Sequence, residues 1–253
     1  MRKSHLRGSR VRIGSHQVSL ARALSKLGIA SRAQSTDMIR DGHVAVNGRL
    51  VRDPVAWVDP KADSISVDGK TVRPAPRVYI LLHKPTGVVT TRIDELARQT
   101  VYEFLPRGTP WVFPAGRLDR ESSGLILLTN DTKAANLLTS PAEHCIKTYK
   151  VILDRPLSAN DRATMETGMI LSDGTILKSA KVTPIRGTEY AFSLIEGKNR
   201  QIRRMCHELG YEVLALHRTE IGPLKIRGLA PGTARSLSRR EIMQLFSANR
   251  KEE

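Results

Sequence analysis

From Val18 onward the apolar positions follow a helical period. Leu20, Leu24 and Leu27 fall on one face, and Gly28 can end the helix they define. Ser31 stands three residues before Gln34, the spacing of a capping box, so a second helix is predicted from there to Gly42. The period then drops to two: Val44 and Val46 alternate with their neighbours, and Asn47-Gly48 is a dipeptide suited to a two-residue hairpin turn. This segment therefore reads helix, helix, hairpin. Next, "DGKTVRPAPRV" carries Pro74 and Pro76, which disfavour regular structure and mark a linker.

Beyond the linker, "VYILLHKPTGVVTT" predicts an apolar strand, a turn at Pro85-Thr86-Gly87 and a second strand. Strands then alternate with a few helices at residues 125–129, 132–138, 148–153 and 191–194. In "EGKNRQIRRMCHELG", Ile202, Met205, Cys206 and Leu209 make an apolar helical stripe that Asn199 can cap and Gly210 can end. No internal repeat is present. The pattern predicts a basic, disordered arm over residues 1–17 and a small helix-helix-hairpin domain with the start of the linker over 18–73. A mixed-sheet domain of catalytic size, α+β or α/β, follows over 77–246, with a frayed tail over 247–253.

Charge narrows the choice of partner. The 253 residues carry 41 Lys and Arg against 25 Asp and Glu, a net charge of +16 that suits a polyanion. A membrane surface would need a basic amphipathic helix with large apolar anchors, and no such segment occurs. No apolar run approaches the roughly 20 residues of a membrane span. Six cations, Arg22, Lys26, Arg32, Arg40, Arg49 and Arg52, occupy polar positions of the helix-helix-hairpin and point to a phosphate-contacting surface. Cys145 and Cys206 show neither CxxC nor metal-ligand spacing, so two reduced, buried thiols in a cytoplasmic setting are expected.

The candidate for chemistry is in "GRLDRESSGLILLTND". An Asp in a polar turn is commonly a cap or a surface charge. Asp119, however, stands where a charged segment gives way to the apolar residues 125–128, bracketed by Gly116 and Gly124. Arg117 and Arg120 would favour its charged form, and an oriented carboxylate can act as a nucleophile. Arg203 lies at the border of the apolar stripe, where an arginine can bury its stem and aim its guanidinium into a cleft.

These segments carry a resemblance. "LSKLGIASRAQSTDMIRDGHVAVNGRLV" resembles the S4 RNA-binding domain, with Ala33 where a second arginine is common. "HKPTGVVTT", "FPAGRLDRESSGLILLTND", "KTYKV", "EGKNRQIRRM" and "IGPLKI" follow in the order of the pseudouridine synthases that modify ribosomal RNA and carry an N-terminal S4 domain. The likeness spans most of residues 18–242. It implies that the chain isomerises a specific uridine of ribosomal RNA to pseudouridine, flipping the base into a cleft and using no cofactor or metal. Residue by residue, it implies Asp119 as the nucleophile, Tyr149 against the target base and Arg203 paired with Asp119. Arg117 would be structural or contact RNA, and Lys84 and Lys225 would be phosphate contacts or surface charges. It also implies a cytoplasmic, membrane-free monomer acting on free ribosomal RNA or on an assembling subunit. "TTRIDELARQTVYEFLP" leans towards the relatives that modify large-subunit (23S-type) RNA. The alternatives are the same chemistry on small-subunit (16S-type) RNA and a non-catalytic S4 assembly factor. An S4-domain methyltransferase would need a Gly-rich loop after a strand, and none is present. A glycosidase acting on a neutral sugar polymer would have no use for the charge.

Overall fold

The computed structural model describes residues 17–247. They divide between Pro76 and Arg77 into two compact units. The expected basic arm, up to residue 16, and the tail beyond Ser247 lie outside the described residues.

In the first unit β1 (Val18–Ser19) leads into α1 (Leu20–Lys26) and α2 (Arg32–Asp41). Leu20, Leu24 and Leu27 are buried, as the helical period requires. Both halves of the capping box form: Gln34 N–H donates to Ser31 Oγ and Ser31 N–H to Gln34 Oε1, each at 3.1 Å. Gly42 closes α2 in the left-handed region at φ 86°. The strands β2 (Val44–Val46) and β3 (Arg49–Leu50) pair across Asn47 and Gly48, which take φ values of 51° and 77°. Two positive φ angles in a two-residue loop suit the right-handed twist of the strands. The strand β4 (Trp57–Val58) pairs with β1, while β5 (Ile65–Val67) and β6 (Lys70–Thr71) extend the hairpin into a sheet of order β3-β2-β5-β6. Leu20, Leu24, Ile39, Val44 and Ile65 form the core of this unit.

The second unit begins with β7 (Tyr79–Lys84), β8 (Phe113–Pro114), β9 (Ser123–Thr129), α3 (Thr132–Thr139) and β10 (Lys147–Leu153). After α4 (Ala159–Thr167) come a small hairpin of β11 (Met169–Ile170) and β12 (Ile176–Leu177), then β13 (Lys181–Arg186), β14 (Glu189–Leu194) and α5 (Gln201–Glu208). The unit ends with β15 (Val213–Ile221), β16 (Leu224–Lys225), β17 (Ala234–Ser236) and α6 (Arg239–Ser247). Among the described residues a nine-stranded sheet runs β13-β14-β10-β15-β9-β7-β17, with β16 on β15 and β8 on β9. Its β9–β15 pair is parallel and the other pairs are antiparallel, so the sheet is mixed and the α+β expectation holds.

The strand β9 is the centre of this packing. Leu125 and Leu127 join a core with Ala134 and Leu138 of α3, while Ile126 and Leu128 join another with Leu82 and Val101. Successive side chains go to opposite faces of a strand, so both faces of β9 are covered. All four side chains are fully buried, each contributing roughly 1.5–3 kcal/mol. A third core joins Val151 of β10 and Phe192 of β14 to Ile202, Met205 and Cys206 of α5.

Two expectations need correction. No second strand follows the turn after β7: Val89 makes a single parallel bridge to Thr100, and the Thr90 hydroxyl is engaged by the backbone of Leu118 instead. Nor does Asn199 cap α5. The cap position is Arg200, in the left-handed region at φ 49° with no side-chain cap bond. Its guanidinium reaches Glu121 at 3.1 Å.

Candidate active site

Asp119 lies in the loop between β8 and β9, where its carbonyl accepts from Ser122 N–H at 3.1 Å and closes a turn. The path out of that turn depends on Gly124. Its φ is 112°, and a Cβ there would lie 2.3 Å from the carbonyl oxygen of Arg218. Gly124 and Arg218 are register partners in the parallel pair, so the close backbone approach launching β9 from the Asp119 loop admits only glycine without distortion.

Half-buried Asp119 lines a cleft of about 580 Å³ together with Lys147, Tyr149, Leu216 and Arg218. Among the described residues its carboxylate makes neither a hydrogen bond nor an ion pair. Tyr149, buried in β10, stands opposite Phe192 on one side and Arg218 on the other. The Arg218 guanidinium carbon is 6.0 Å from the centre of the tyrosine ring. The cleft thus joins an unengaged carboxylate to an aromatic wall, with Lys178, Lys198 and Arg200 exposed along its lining.

The basic residues near Asp119 grip the backbone of its loop rather than its carboxylate. Lys84, at the end of β7, is fully buried. Its ammonium donates to Ser122 O at 2.6 Å, Pro85 O at 3.0 Å and Arg120 O at 3.4 Å. Burial pulls its pKa down to about 8; the charges of Asp119 and Glu121 oppose this, and Arg218 adds to it. It is therefore neither a phosphate contact nor a surface charge, the two roles expected of it.

Arg203 also departs from expectation. It forms no pair with Asp119 and is not among the residues lining the cleft. Nη1 donates to Val213 O at 3.0 Å and Nη2 to Glu121 O at 3.3 Å, so it ties α5 to β15 and to the Asp119 loop. Arg117 and Arg120 are exposed, and Arg120 is paired with Glu121 at 3.5 Å.

Two cleft residues were not singled out from the sequence. Arg218 is 3% exposed, with Nε donating to Leu125 O at 2.7 Å and Nη1 reaching Arg117 O at 3.5 Å. Lys147 donates to Cys145 O at 3.2 Å; burial lowers its pKa, Cys145 opposes that, and Arg218 lowers it further. A sequence signal for Arg218 does exist: it shares the inward phase of an alternating strand with Leu216, a place where a charge is unusual. The cysteines are free and buried, with the Cys206 thiol pushed up to about 12 by burial.

On the first unit, Arg22, Lys26, Arg32, Arg40, Arg49 and Arg52 are all exposed. Lys26 has its pKa lowered by burial and then by the charges of Arg22 and Arg32, which marks these three as one cationic cluster. Arg52 instead donates to Arg40 O at 2.7 Å, at the C-terminal turn of α2, so part of its charge serves the helix. Among the described residues no group of three His, Cys, Asp or Glu could hold a metal ion, and no helix is long and apolar enough to cross a membrane.

Comparison with known proteins completes the picture. Residues 78–208 match the RNA pseudouridylate synthase family and residues 8–56 match the S4 domain. A ribosomal large subunit pseudouridine synthase B from Bacillus subtilis is 35% identical over 231 residues, 89% of this chain and 94% of that protein. The dual-specificity RNA pseudouridine synthase RluF of Escherichia coli is 34% identical over 232 residues, 90% of this chain and 78% of that protein. A crystal structure of a pseudouridylate synthase superposes with a TM-score of 0.67 at 31% identity, covering 90% of this chain and 99% of that one. Fold, motif order and these matches agree: the chain belongs to the RNA pseudouridine synthases and carries an S4 domain before its synthase domain.

Proposed function

We propose that the chain converts a specific uridine of ribosomal RNA to pseudouridine, on the large-subunit RNA, with Asp119 as the nucleophile. The observation that carries this reading is the unengaged Asp119 carboxylate in a cleft that also presents Tyr149. The ribosomal substrate rests on the name of the Bacillus subtilis relative and on the S4 match.

The reaction breaks the N1–C1′ bond, turns the uracil and joins C5 to C1′. Asp119 either attacks C1′, as a carboxylate does in retaining glycoside hydrolysis, or removes the 2′ proton to give a glycal. The detached base must be kept from leaving and the sugar centre kept from water, which suits a cleft walled by Leu216, Ile202 and Tyr149. Flipping the uridine costs on the order of a few kcal/mol, and stacking on Tyr149 returns roughly 1–3 kcal/mol of it. Tyr149 is also the candidate to accept the C5 proton. Arg203 and Lys84 act through the loop backbone as positioning residues. The cationic cluster of Arg22, Lys26 and Arg32 holds RNA phosphates, with Arg40, Arg49 and Arg52 adding to the same surface. The test compares pseudouridine formation in ribosomal RNA by the wild-type protein and by Asp119→Asn.

A further inference from the structure

One cation in the cleft has no role in the steps above. Arg218 lies beside Tyr149 and is almost wholly buried, 3% exposed. Two of its three nitrogens are occupied by the carbonyls of Leu125 and Arg117. The third, Nη2, is buried with no hydrogen-bond partner. No carboxylate pairs with this guanidinium among the described residues, and Lys84 and Lys147 are both near enough to feel its charge. A desolvated cation with an open donor and like charges around it is unfavourable unless a partner of opposite polarity arrives. The partner must also fit the place. Phosphates of an RNA strand can be met by the exposed Lys178, Lys198 and Arg200 on the same cleft, whereas a buried position beside Tyr149 suits a flipped base.

We propose that Arg218 is the electrostatic partner of the uracil: Nη2 donates to a ring carbonyl oxygen, and the guanidinium offsets the negative charge the ring gains as N1–C1′ breaks. This rests on the reading of the cleft as the active site. The electron pair of the N1–C1′ bond passes to N1 and spreads onto O2 and O4. C1′ meanwhile bonds to an Asp119 oxygen, or its sugar loses the 2′ proton to Asp119. When C5 bonds to C1′, a pair from the ring makes the new bond. The C1′–O bond to Asp119 breaks with its pair returning to the carboxylate, or, on the glycal route, Asp119 gives its proton back to C2′. The C5 proton then leaves, its bonding pair restoring the ring. Arg218 keeps all its protons throughout, so its part is stabilisation of charge that exists only along the reaction path.

The experiment measures single-turnover cleavage of the glycosidic bond at saturating RNA. Two substrates are compared: RNA with uridine at the target and the same RNA with 5-fluorouridine, whose base carries negative charge more readily and leaves more easily. Arg218→Gln is expected to lose about 100- to 1,000-fold with uridine, the range for removing one donor to developing charge. With 5-fluorouridine the loss is expected to be at least about tenfold smaller, because a better leaving group needs less help. RNA affinity should stay within about threefold, a margin far below the effect on the charge-bearing step. Arg218→Lys, which keeps the charge, should recover part of the rate, and it carries the same substrate comparison should the glutamine variant fail to fold. Equal losses on the two substrates would leave Arg218 as a mere staple of the Asp119 loop and overturn the proposal. So would a loss confined to RNA affinity, which would make it a phosphate contact. Asp119→Asn, run alongside, separates the two readings: activity in that variant removes the active site itself, whatever Arg218 does.

Discussion

At the scale of single residues, the arrangement around Asp119 inverts a simple expectation. A carboxylate set among arginines suggests direct pairing, yet Lys84, Arg203 and Arg218 donate to the carbonyls of Pro85, Arg117, Arg120, Glu121, Ser122, Val213 and Leu125. The cations fix the loop and leave the carboxylate unengaged. Lys84 gives this a measurable consequence. Its folded-state pKa of about 8 lies below the ordinary 10.5, so the folded protein holds that proton less tightly than the unfolded chain. The resulting penalty is fully present below about pH 8 and fades as the pH rises towards 10.5. The gap between 8 and 10.5 corresponds to about 3 kcal/mol. Urea unfolding across this window should therefore show the wild type gaining up to about that much relative to Lys84→Met. A difference between the two proteins that stays flat with pH would mean Lys84 is not desolvated as described.

The contacts that escaped the sequence do so for a physical reason. Arg203 sits in a helix whose stripe border is visible from periodicity, but which acceptor a long guanidinium finds depends on tertiary placement. Lys84 and Arg218 follow or interrupt apolar strand patterns, and a single sequence does not tell a charge that ends a strand from one buried within it. Asp119 stands out as a candidate because its loop is bracketed by two glycines and followed by four apolar residues, while its role as nucleophile is what the resemblance implies.

At the scale of elements, local rules succeed where the local chain supplies its own partners. The Ser31–Gln34 box and the Asn47-Gly48 turn involve residues within four positions of one another, and both form as the sequence predicts. The missing strand after β7 and the uncapped start of α5 fail because distant residues take over: Leu118 engages Thr90, and Glu121 engages Arg200. Gly124 belongs to the second class, since its necessity comes from Arg218 across the sheet. Gly124→Ala must relieve both a positive φ and a backbone clash, at a cost of about 2–4 kcal/mol. Chemical denaturation should read that loss as a lower midpoint, with turnover falling because the same turn carries Asp119. A midpoint unchanged from wild type would show that the β9–β15 approach is looser than its geometry indicates.

At the scale of the whole molecule, the division of labour follows charge. The order of the S4 and synthase motifs is written linearly in the chain, and the net charge of +16 points to an RNA partner. Which cations cluster is not linear information: Arg22, Lys26 and Arg32 come from α1 and the start of α2. Replacing all three with Gln should weaken RNA binding and reduce the slope of log affinity against log salt by about 2–3, at roughly 0.7–0.9 per lost phosphate contact. The single-turnover rate at saturating RNA should stay within about threefold, because none of the three lines the cleft. Unchanged affinity and slope in a salt titration would remove this cluster from the RNA-binding surface.

The most direct measurement is made on the carboxylate itself. Ribosomal RNA carrying 5-tritiated uridine releases tritium only when the C5 proton is lost. Wild-type protein should release it in step with pseudouridine mapped at the target. Asp119→Asn should bind the RNA with affinity within about threefold but release tritium at least about 10⁴-fold more slowly, the scale expected when an essential catalytic group is removed. Release by Asp119→Asn at a rate near that of the wild type would contradict the assignment of Asp119 as the nucleophile.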